Sequence, residues 1–392
     1  MTSDYGGDGR PIALTGATIY TMEGAPIIGG TVVVAQGKIA AVGDRVTLPS
    51  DCRMIDAQGT VITPGLIDAH THLGIAGEGL GWAGDDLNES TNPVLPGLDV
   101  LDAIYPRDAA LASAWRNGVT TVMVAPGSAN PIGGQCAVIK TKAASSIEDM
   151  VVRRTAGLKI AFGENPRHVY GRQQKTPTTR MGVAYLVREA FLKTREYLAR
   201  QDADDFRFDL NLEAIAKVLR HEMPIRAHAH RADDIVTAIR LAREFDVDII
   251  IEHATEAHLI PDVLAKEGVP VVLGPLLTAK QKVEMRDSRL EAPYILQQYG
   301  IPFAFMSDHP VLPSAFLPVY AGLTCRYGLT EEHALAAITS NAAKILGVEE
   351  RVGKLAPEMD ADLVVWNEFP LSLRAQPLYV MTNGVLTDLE EN

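Results

Sequence analysis

The protein has 392 residues, a length that suits two or three ordinary domains or one large α/β barrel with an appended part. Hydrophobic residues make up 47% and charged residues 22% of the chain, which is typical of soluble globular proteins and excludes disordered and collagen-like chains. Lys and Arg number 36 and Asp and Glu number 49, so the net charge of −13 argues against a broad nucleic-acid surface.

The sequence indicates neither a membrane protein nor a secreted one. No apolar run reaches the ~18–20 residues that a membrane-spanning helix needs, and the first residues lack the basic start and apolar stretch of a signal peptide. Cys52, Cys136 and Cys325 are widely spaced and odd in number, so we expect reduced thiols rather than a disulfide framework. These features favour a cytoplasmic protein.

The first part of the chain predicts short β-strands, because β-branched and alternating segments are separated by Gly and Pro. These segments are Ile12–Leu14, Thr18–Tyr20, Gly30–Ala35, Lys38–Val42 and Met54–Asp56.

The middle of the chain alternates short apolar runs with segments of helical periodicity, which is typical of parallel strands joined by helices. Eight strands are predicted to end near Asp68–His72, Val122–Ala125, Val138–Lys142, Ile160–Gly163, Arg226–His230, Ile249–His253, Val271–Gly274 and Phe303–Asp308. Predicted helices include Ala109–Asn117, Val183–Ala199, Leu212–Glu222, Ile235–Phe245, Tyr294–Tyr299 and Glu331–Leu346. Eight such units predict an α/β fold of the (β/α)8 barrel type.

The last part of the chain again predicts strands, at Asp362–Trp366, Leu378–Met381 and Val385–Thr387, with Asn383-Gly384 as a hairpin turn. We therefore expect residues 1–60 and 351–392 to form one small β-sandwich domain. Residues 61–350 would form the barrel beside it.

Histidines are concentrated at the predicted strand ends of the barrel, where catalytic groups of such barrels collect. Six of the ten histidines lie there: His70, His72, His228, His230, His253 and His309. His70 and His72 are two residues apart on a strand, so both imidazoles point to one face and can reach one metal ion at ~2.0–2.1 Å. The alternative is a pair of buried, hydrogen-bonded histidines.

The segment Pro64–His72, with the sequence Pro-Gly-Leu-Ile-Asp-Ala-His-Thr-His, resembles the signature of the amidohydrolase superfamily. The similarity to imidazolonepropionase-like and related members extends over nearly the whole chain, including Gly353–Leu355 and Ala361–Val365. The resemblance implies a hydrolase that uses a divalent metal, with Zn²⁺ as the first candidate and one or two ions per chain. It also implies a small-molecule substrate and a homo-oligomer.

Further site residues follow from this resemblance. His228 matches the metal ligand of the fifth strand and is preferred to His230, which lies on the same face and would contact the substrate and take part in catalysis. His253 matches the ligand of the sixth strand. Asp308 matches the aspartate of the eighth strand, which acts as metal ligand and proton shuttle.

The fourth strand decides how many ions bind, because family members with two ions bridge them with a carboxylated lysine or a glutamate. Glu164 directly follows this predicted strand, so we expect it to be the bridging or a single-metal ligand. Lys159 lies five residues earlier and is expected below the mouth of the barrel. The alternative makes Glu164 a loop carboxylate or a helix cap.

Two long segments are candidates for binding the substrate. Gly74–Pro96 is long enough for a lid or binding loop, and Asn165–Met181 carries a basic cluster that suits a carboxylate or a phosphate. The predicted substrate contacts are Trp82, Tyr170, Arg172, Arg180 and His309. They favour an anionic amide or cyclic amide, such as an N-acyl amino acid, a dipeptide or an imidazolone.

Three other functions remain open on the sequence. A mononuclear deaminase of the same superfamily is disfavoured, because no glutamate follows His228 within Ala229–Asp233. A lactonase would use the same metal centre. A non-catalytic scaffold is disfavoured by the complete set of predicted ligands.

Overall fold

The computed structural model describes residues 4–5 and 9–389. The strands are β1 (Asp4–Tyr5), β2 (Ile12–Ile19), β3 (Ile27–Ala35), β4 (Lys38–Gly43), β5 (Arg53–Asp56), β6 (Val61–Pro64), β7 (Leu66–Thr71), β8 (Val119–Val124), β9 (Ile132–Lys140), β10 (Val151–Ala161), β11 (Ile225–Ala229), β12 (Ile249–His253), β13 (Val271–Leu273), β14 (Phe303–Phe305), β15 (Leu363–Trp366), β16 (Pro377–Thr382) and β17 (Val385–Asp388). The α-helices are α1 (Ala109–Arg116), α2 (Glu164–Arg172), α3 (Arg180–Ala199), α4 (Leu210–Leu219), α5 (Ala232–Phe245), α6 (Pro261–Glu267), α7 (Ala292–Gln298), α8 (Leu317–Thr324), α9 (Glu331–Ala336) and α10 (Ser340–Leu346).

Strands β7 to β14 form one eight-stranded sheet in which each strand pairs with the next along the chain. The sheet is nearly closed, because the backbone N–H of Asp308, beyond β14, donates to the carbonyl of His70 in β7 over 3.1 Å. Every residue of β7, β8 and β9 is buried, as expected for strands covered on both faces. The predicted barrel is confirmed.

One barrel strand departs from the predicted parallel arrangement. β9 runs antiparallel to both β8 and β10, and Lys140 near its end pairs with Thr121 near the start of β8. Only the residues from Ala125 to Pro131 connect β8 to β9, whereas a parallel crossover needs a dozen or more. A hairpin is therefore the connection that this link allows. The predicted strand end at Val138–Lys142 lies at the opposite end of the barrel from the mouth.

The first residues of β9 extend past the end of β8 and pair with residues 94–99. Ile132 and Gln135 form parallel bridges with Val94 and Asp99. The backbone N–H of Leu95 donates to Ile132 over 3.0 Å, and that of Gln135 donates to Leu98 over 2.8 Å. Residues 94–99 are thus fixed to the barrel by backbone hydrogen bonds.

The two chain ends form a second sheet, as predicted, with the order β1-β17-β16-β15-β6-β2-β3-β4 and β5 paired to β2. The turn between β16 and β17 has φ values of 50° at Asn383 and 78° at Gly384, the left-handed region that a type I′ hairpin requires. β6 belongs to this sheet and ends at Pro64, beyond the predicted limit at residue 60. Residues 1–3, 6–8 and 390–392 of the predicted sandwich lie outside the described residues.

The helices agree with the prediction except at particular places. The predicted helix Glu331–Leu346 is interrupted between α9 and α10, and α2, α6 and α8 were not predicted. The sequence did not predict α2 because its first residues, Glu164-Asn165-Pro166, are typical of a loop, although Pro is well tolerated in a first helical turn. None of the described helices combines the length and the apolar character that crossing a membrane requires.

Candidate active site

One cluster of ligand-type side chains forms where β7 and β14 meet at the mouth of the barrel. Nε2 of His70 lies 3.5 Å and Nε2 of His72 lies 3.3 Å from Oδ1 of Asp308. Asp308 has a φ of 53°, a strained conformation for a residue other than Gly, and such strain is concentrated at functional sites. Its hydrogen bond to the His70 carbonyl holds it there.

A second cluster lies beside the first, at the ends of β11 and β12. The ring centroid of His228 is 4.8 Å from that of His230 and 4.2 Å from that of His253. His253 also connects the clusters, since Nδ1 lies 4.0 Å from Oδ2 of Asp308 and its ring centroid lies 5.5 Å from that of His70. Each cluster brings three candidate ligand atoms within 4.8 Å of one another.

The outer nitrogens of these imidazoles are held by other groups. Nδ1 of His72 lies 2.7 Å from the carbonyl of Ala125, and Nδ1 of His253 lies 3.1 Å from the carbonyl of Gly274. A carbonyl only accepts hydrogen bonds, so each Nδ1 donates and a neutral ring keeps its lone pair on Nε2. Metal-binding histidines are oriented in this way.

The remaining histidines fit the same pattern in part. Nδ1 of His70 lies 3.0 Å from the carboxylate of Glu252, and Nδ1 of His230 lies 2.8 Å from Oγ1 of Thr255. Nδ1 of His228 is buried without a hydrogen-bond partner among the described residues, as a nitrogen reserved for another ligand would be. The two clusters therefore fit divalent metal ions.

Burial and neighbouring groups shift the pKa values of His228, His230 and Asp308. Burial lowers the pKa of His230 to about 3, and burial with the neighbouring His253 holds the pKa of His228 well below its usual value. Burial disfavours ionised Asp308, but the neighbouring imidazoles of His253, His70 and His72 hold the pKa of its carboxyl well below the usual range. Neutral His228 and His230 thus lie beside an ionised carboxylate, and these are the forms that bind metal.

A buried charge network lies directly under the histidines. The carboxylate of Glu252 contacts Nζ of Lys159 at 2.7 Å and Nε of Arg226 at 2.8 Å, and these three residues are almost fully buried. Nζ of Lys159 is also 3.4 Å from Nε2 of His70. Lys159 therefore lies beneath the histidines, and its ammonium also reaches the first cluster.

Glu164, predicted as a metal ligand, belongs to neither cluster. Gly163, with a φ of 84°, turns the chain out of β10, and Glu164 is the first residue of α2. The backbone N–H of Glu164 donates to Oε2 of Glu284 over 3.0 Å. The alternative reading, a carboxylate at a helix start, matches this position better.

The predicted substrate contacts lie outside the cavity at the clusters. Tyr170 is buried and donates to Oδ1 of Asn130 over 2.8 Å, and Nε of Arg180 pairs with Asp234 at 2.9 Å. Trp82 is 92% exposed and Arg172 is exposed. His309 is buried, and its carbonyl accepts from the backbone N–H of His72 over 3.1 Å, so it supports the site from behind.

A cavity of about 410 Å³ opens onto both clusters. Its lining residues outside the clusters come from four loops and from the start of α2: Leu87, Asn88, Gly127, Ser128, Asn165, Pro275, Leu277, Thr278, Ala279, Gln281, Lys282, Met285, Pro310 and Val311. Half of them lie in residues 274–291, between β13 and α7. The length of that loop was the available sequence signal for its role.

The fold and the site define a barrel protein whose mouth carries two adjoining clusters suited to metal. Residues 61–387 match the amidohydrolase family model, and the chain belongs to this family. The family is generally metal-dependent, and membership in it supports a hydrolase that acts on amide-type bonds.

Individual relatives agree with this assignment. The crystal structure of an amidohydrolase from Thermotoga maritima MSB8 has 44% sequence identity and a TM-score of 0.92, and the match covers 96% of this chain and 99% of that one. An imidazolonepropionase from Vibrio cholerae serotype O1 is 26% identical over 93% of this chain and 94% of its own length. The amidohydrolase tasK of Hapsidospora irregularis is 31% identical over 96% of this chain, which spans only 43% of that protein.

Proposed function

We propose that this protein hydrolyses the C–N bond of an amide or a cyclic amide that carries a negative charge. One or two divalent ions, Zn²⁺ first, would be held by His70, His72 and Asp308 and by His228 and His253. The observation that carries the proposal is that Nε2 of His72 and of His253 each keeps its lone pair, and that of His72 faces a carboxylate oxygen of Asp308 at 3.3 Å. The similarity to an imidazolonepropionase supports including cyclic amides.

The residues of the site would divide the work of hydrolysis. When bound, a divalent ion supplies hydroxide from water near neutral pH and polarises a carbonyl group. The ionised Asp308 accepts the proton at a carboxylate oxygen and returns it to the leaving nitrogen, which departs poorly unless protonated. His230 is held at Nδ1 by Thr255, so its Nε2 can contact the substrate carbonyl.

The experiment is metal analysis together with a substrate screen of protein purified without chelators. We expect one or two ions per chain and hydrolysis of at least one class among N-acyl amino acids, dipeptides and imidazolones. Asp308→Asn should lower kcat by about 10²–10⁴-fold, as removal of a general acid and base does. The control is Asp205→Asn, which changes one partner of an exposed ion pair with Arg200 and should leave kcat unchanged.

Two results would contradict the proposal. One is a protein that binds no divalent ion even when metal is added. The other is a metal-loaded protein that opens lactones but cleaves no amide in the screen, which would favour the lactonase alternative.

A further inference from the structure

Lys282 brings a positive charge into the cavity from the loop between β13 and α7. Among the described residues that line this cavity, it is the one Lys or Arg. Its ammonium donates to Oδ1 of Asn165 over 2.8 Å and lies 4.0 Å from Oε1 of Glu284. An ammonium has three donors, so this arrangement leaves capacity to bind a further acceptor. The side chain is 37% exposed, which leaves it accessible from the cavity.

Asn165 links Lys282 to the second histidine cluster. Nδ2 of Asn165 donates to Oγ of Ser128 over 2.7 Å and lies 3.5 Å from Nε2 of His228. The amide of Asn165 therefore lies between the imidazole of His228 and the ammonium of Lys282. Because one short side chain separates them, an anion at Lys282 would lie within a few bonds of a group held at the histidines.

A second cavity, of about 570 Å³, adjoins the first at this point, and we call it the side cavity. Asn165, Gln281 and Lys282 line both cavities. The other residues of the side cavity are Glu164, Arg167, His168 and Thr178. Arg167 donates through Nε to the carbonyl of Thr178 over 3.3 Å, and the terminal nitrogens of its guanidinium have no hydrogen bond among the described residues.

We propose that Lys282 binds a carboxylate of the substrate at the junction of the two cavities, and that the side cavity holds the substituent beyond it. This inference rests on the proposed amide hydrolysis and adds which residue selects the substrate. The substrate class is an amide with a carboxylate a few bonds from the cleaved C–N bond, as in an N-acyl amino acid or a dipeptide. Lys282 takes the role that the sequence assigned to Arg172 and Arg180.

Glu164 has the charge opposite to that of Lys282 and is the one carboxylate among the described residues that line the side cavity, so it allows a second test. Its charge repels an anion that Lys282 attracts. Glu164→Gln should therefore lower KM for an anionic substrate and leave the number of bound ions unchanged. A fall in the number of bound ions would instead restore Glu164 as a metal ligand and count against this arrangement.

The test compares Lys282→Met with Lys282→Arg and with Lys280→Met. Lys280 lies in the same loop but outside the cavity lining, where its ammonium donates to the carbonyl of Arg286 over 2.6 Å, so it is the matched control. KM and kcat are measured for N-acetyl amino acids and for their uncharged carboxamides, with bound metal measured for each variant.

We expect Lys282→Met to raise KM for the N-acetyl amino acids by roughly 10- to 100-fold, as loss of a charged hydrogen bond does, with little change in kcat. The carboxamides should be unaffected, Lys282→Arg should recover part of the binding, and Lys280→Met should behave as wild type. An unchanged KM in Lys282→Met, or an equal rise for acids and carboxamides, overturns the inference while hydrolysis itself stands.

If the wild-type protein hydrolyses no amide, the proposed function fails, and binding is measured separately. Calorimetric titration with N-acetylglycine then compares wild type with Lys282→Met. Tighter binding to wild type supports the carboxylate site. Equal binding, or no binding to either protein, overturns it.

Discussion

Glu252 balances the positive charges that are buried beneath the candidate metal clusters. Lys159 and Arg226 are both within 2.8 Å of its carboxylate, and Nδ1 of His70 is 3.0 Å away. Burial disfavours ionised Glu252, but His70, Lys159 and Arg226 hold the pKa of its carboxyl well below the usual value. This carboxylate therefore positions His70 and neutralises the floor of the site.

Glu252→Gln should destabilise the protein by about 3–5 kcal/mol, because it leaves Lys159 and Arg226 as buried charges without an anionic partner. The control is Glu244→Gln, which breaks an exposed pair with Arg188 and should cost at most about 1 kcal/mol. Urea unfolding of both variants gives the comparison. Equal losses of stability would show that the buried network contributes no more than a surface pair.

The sequence predicted single residues well where chain periodicity controls their direction. His70 and His72 lie two residues apart beside a strand end, so alternation places both at the mouth, and the structure brings them to one carboxylate oxygen. β10 ends at Ala161, within the predicted range Ile160–Gly163, but the strand end alone did not indicate that the long side chain of Lys159 reaches the first cluster. Lys282 lies in an irregular loop, where no periodicity indicates which way a side chain points.

At the scale of elements, the junction between β10 and α2 controls where Asn165 lies. Gly163 has φ 84° and ψ −140°, a conformation that essentially only Gly adopts. A Cβ atom at this position would lie 2.6 Å from Oε2 of Glu284. A side chain here would thus be strained by the backbone and would force the buried carboxylate of Glu284 to shift.

Gly163→Ala should lower stability by about 1–3 kcal/mol more than Gly59→Ala, because it adds the collision with Glu284 to the strain of a positive φ. Gly59 also has a positive φ, of 78°, but nothing lies within 4 Å of an added Cβ, so this variant carries the strain of a positive φ without a collision. Gly163→Ala should also raise KM, since Asn165 shifts with the start of α2. Equal stability of the two variants would contradict the role of the contact.

For the elements, hydropathy patterns located the barrel strands but could not give the direction of each one. The buried run of β9 looks the same in either direction, and only the short link after β8 requires the reversal. The direction of such a strand follows from the number of residues that connect it to the strand before. The prediction of parallel strands joined by helices did not use that number for β9.

At the scale of the whole molecule, an ion network joins the two sheets. Lys140, near the end of β9, pairs with Asp362 and lies 3.2 Å from Asp360, just before β15. Asp360 also contacts Lys38 at 2.7 Å and Arg351 at 2.8 Å. Burial disfavours its ionised form, but Lys140, Lys38 and Arg351 together hold the pKa of Asp360 below its usual value.

This network predicts a dependence of stability on pH. A carboxyl whose pKa is lower in the folded than in the unfolded protein stabilises the fold above its unfolded pKa of about 3.9, and the effect is lost as pH falls through the folded pKa. Asp360→Asn should therefore be less stable than wild type at pH 6, and the difference should narrow by pH 3. Urea unfolding at both pH values tests this, and a constant difference would contradict it.

The overall architecture was predictable because both chain ends showed the same strand pattern and the middle a different one. That the ends share one sheet is set by pairs far apart in the chain, such as Leu363 with Pro64. The local hydropathy pattern shows that both chain ends form strands, but it does not give the register in which those strands pair.

The reversed strand β9 makes the entrance to the site unequal on its two sides. On one side, backbone hydrogen bonds attach residues 94–99 to Ile132–Gln135 of β9, so changes in this segment would disturb the barrel itself. On the other, residues 274–291 supply Lys282 from a loop that adds no strand to the sheet. Substitutions in this one loop would therefore change the charge and shape of the entrance while leaving the hydrogen-bonded wall and the barrel behind it intact.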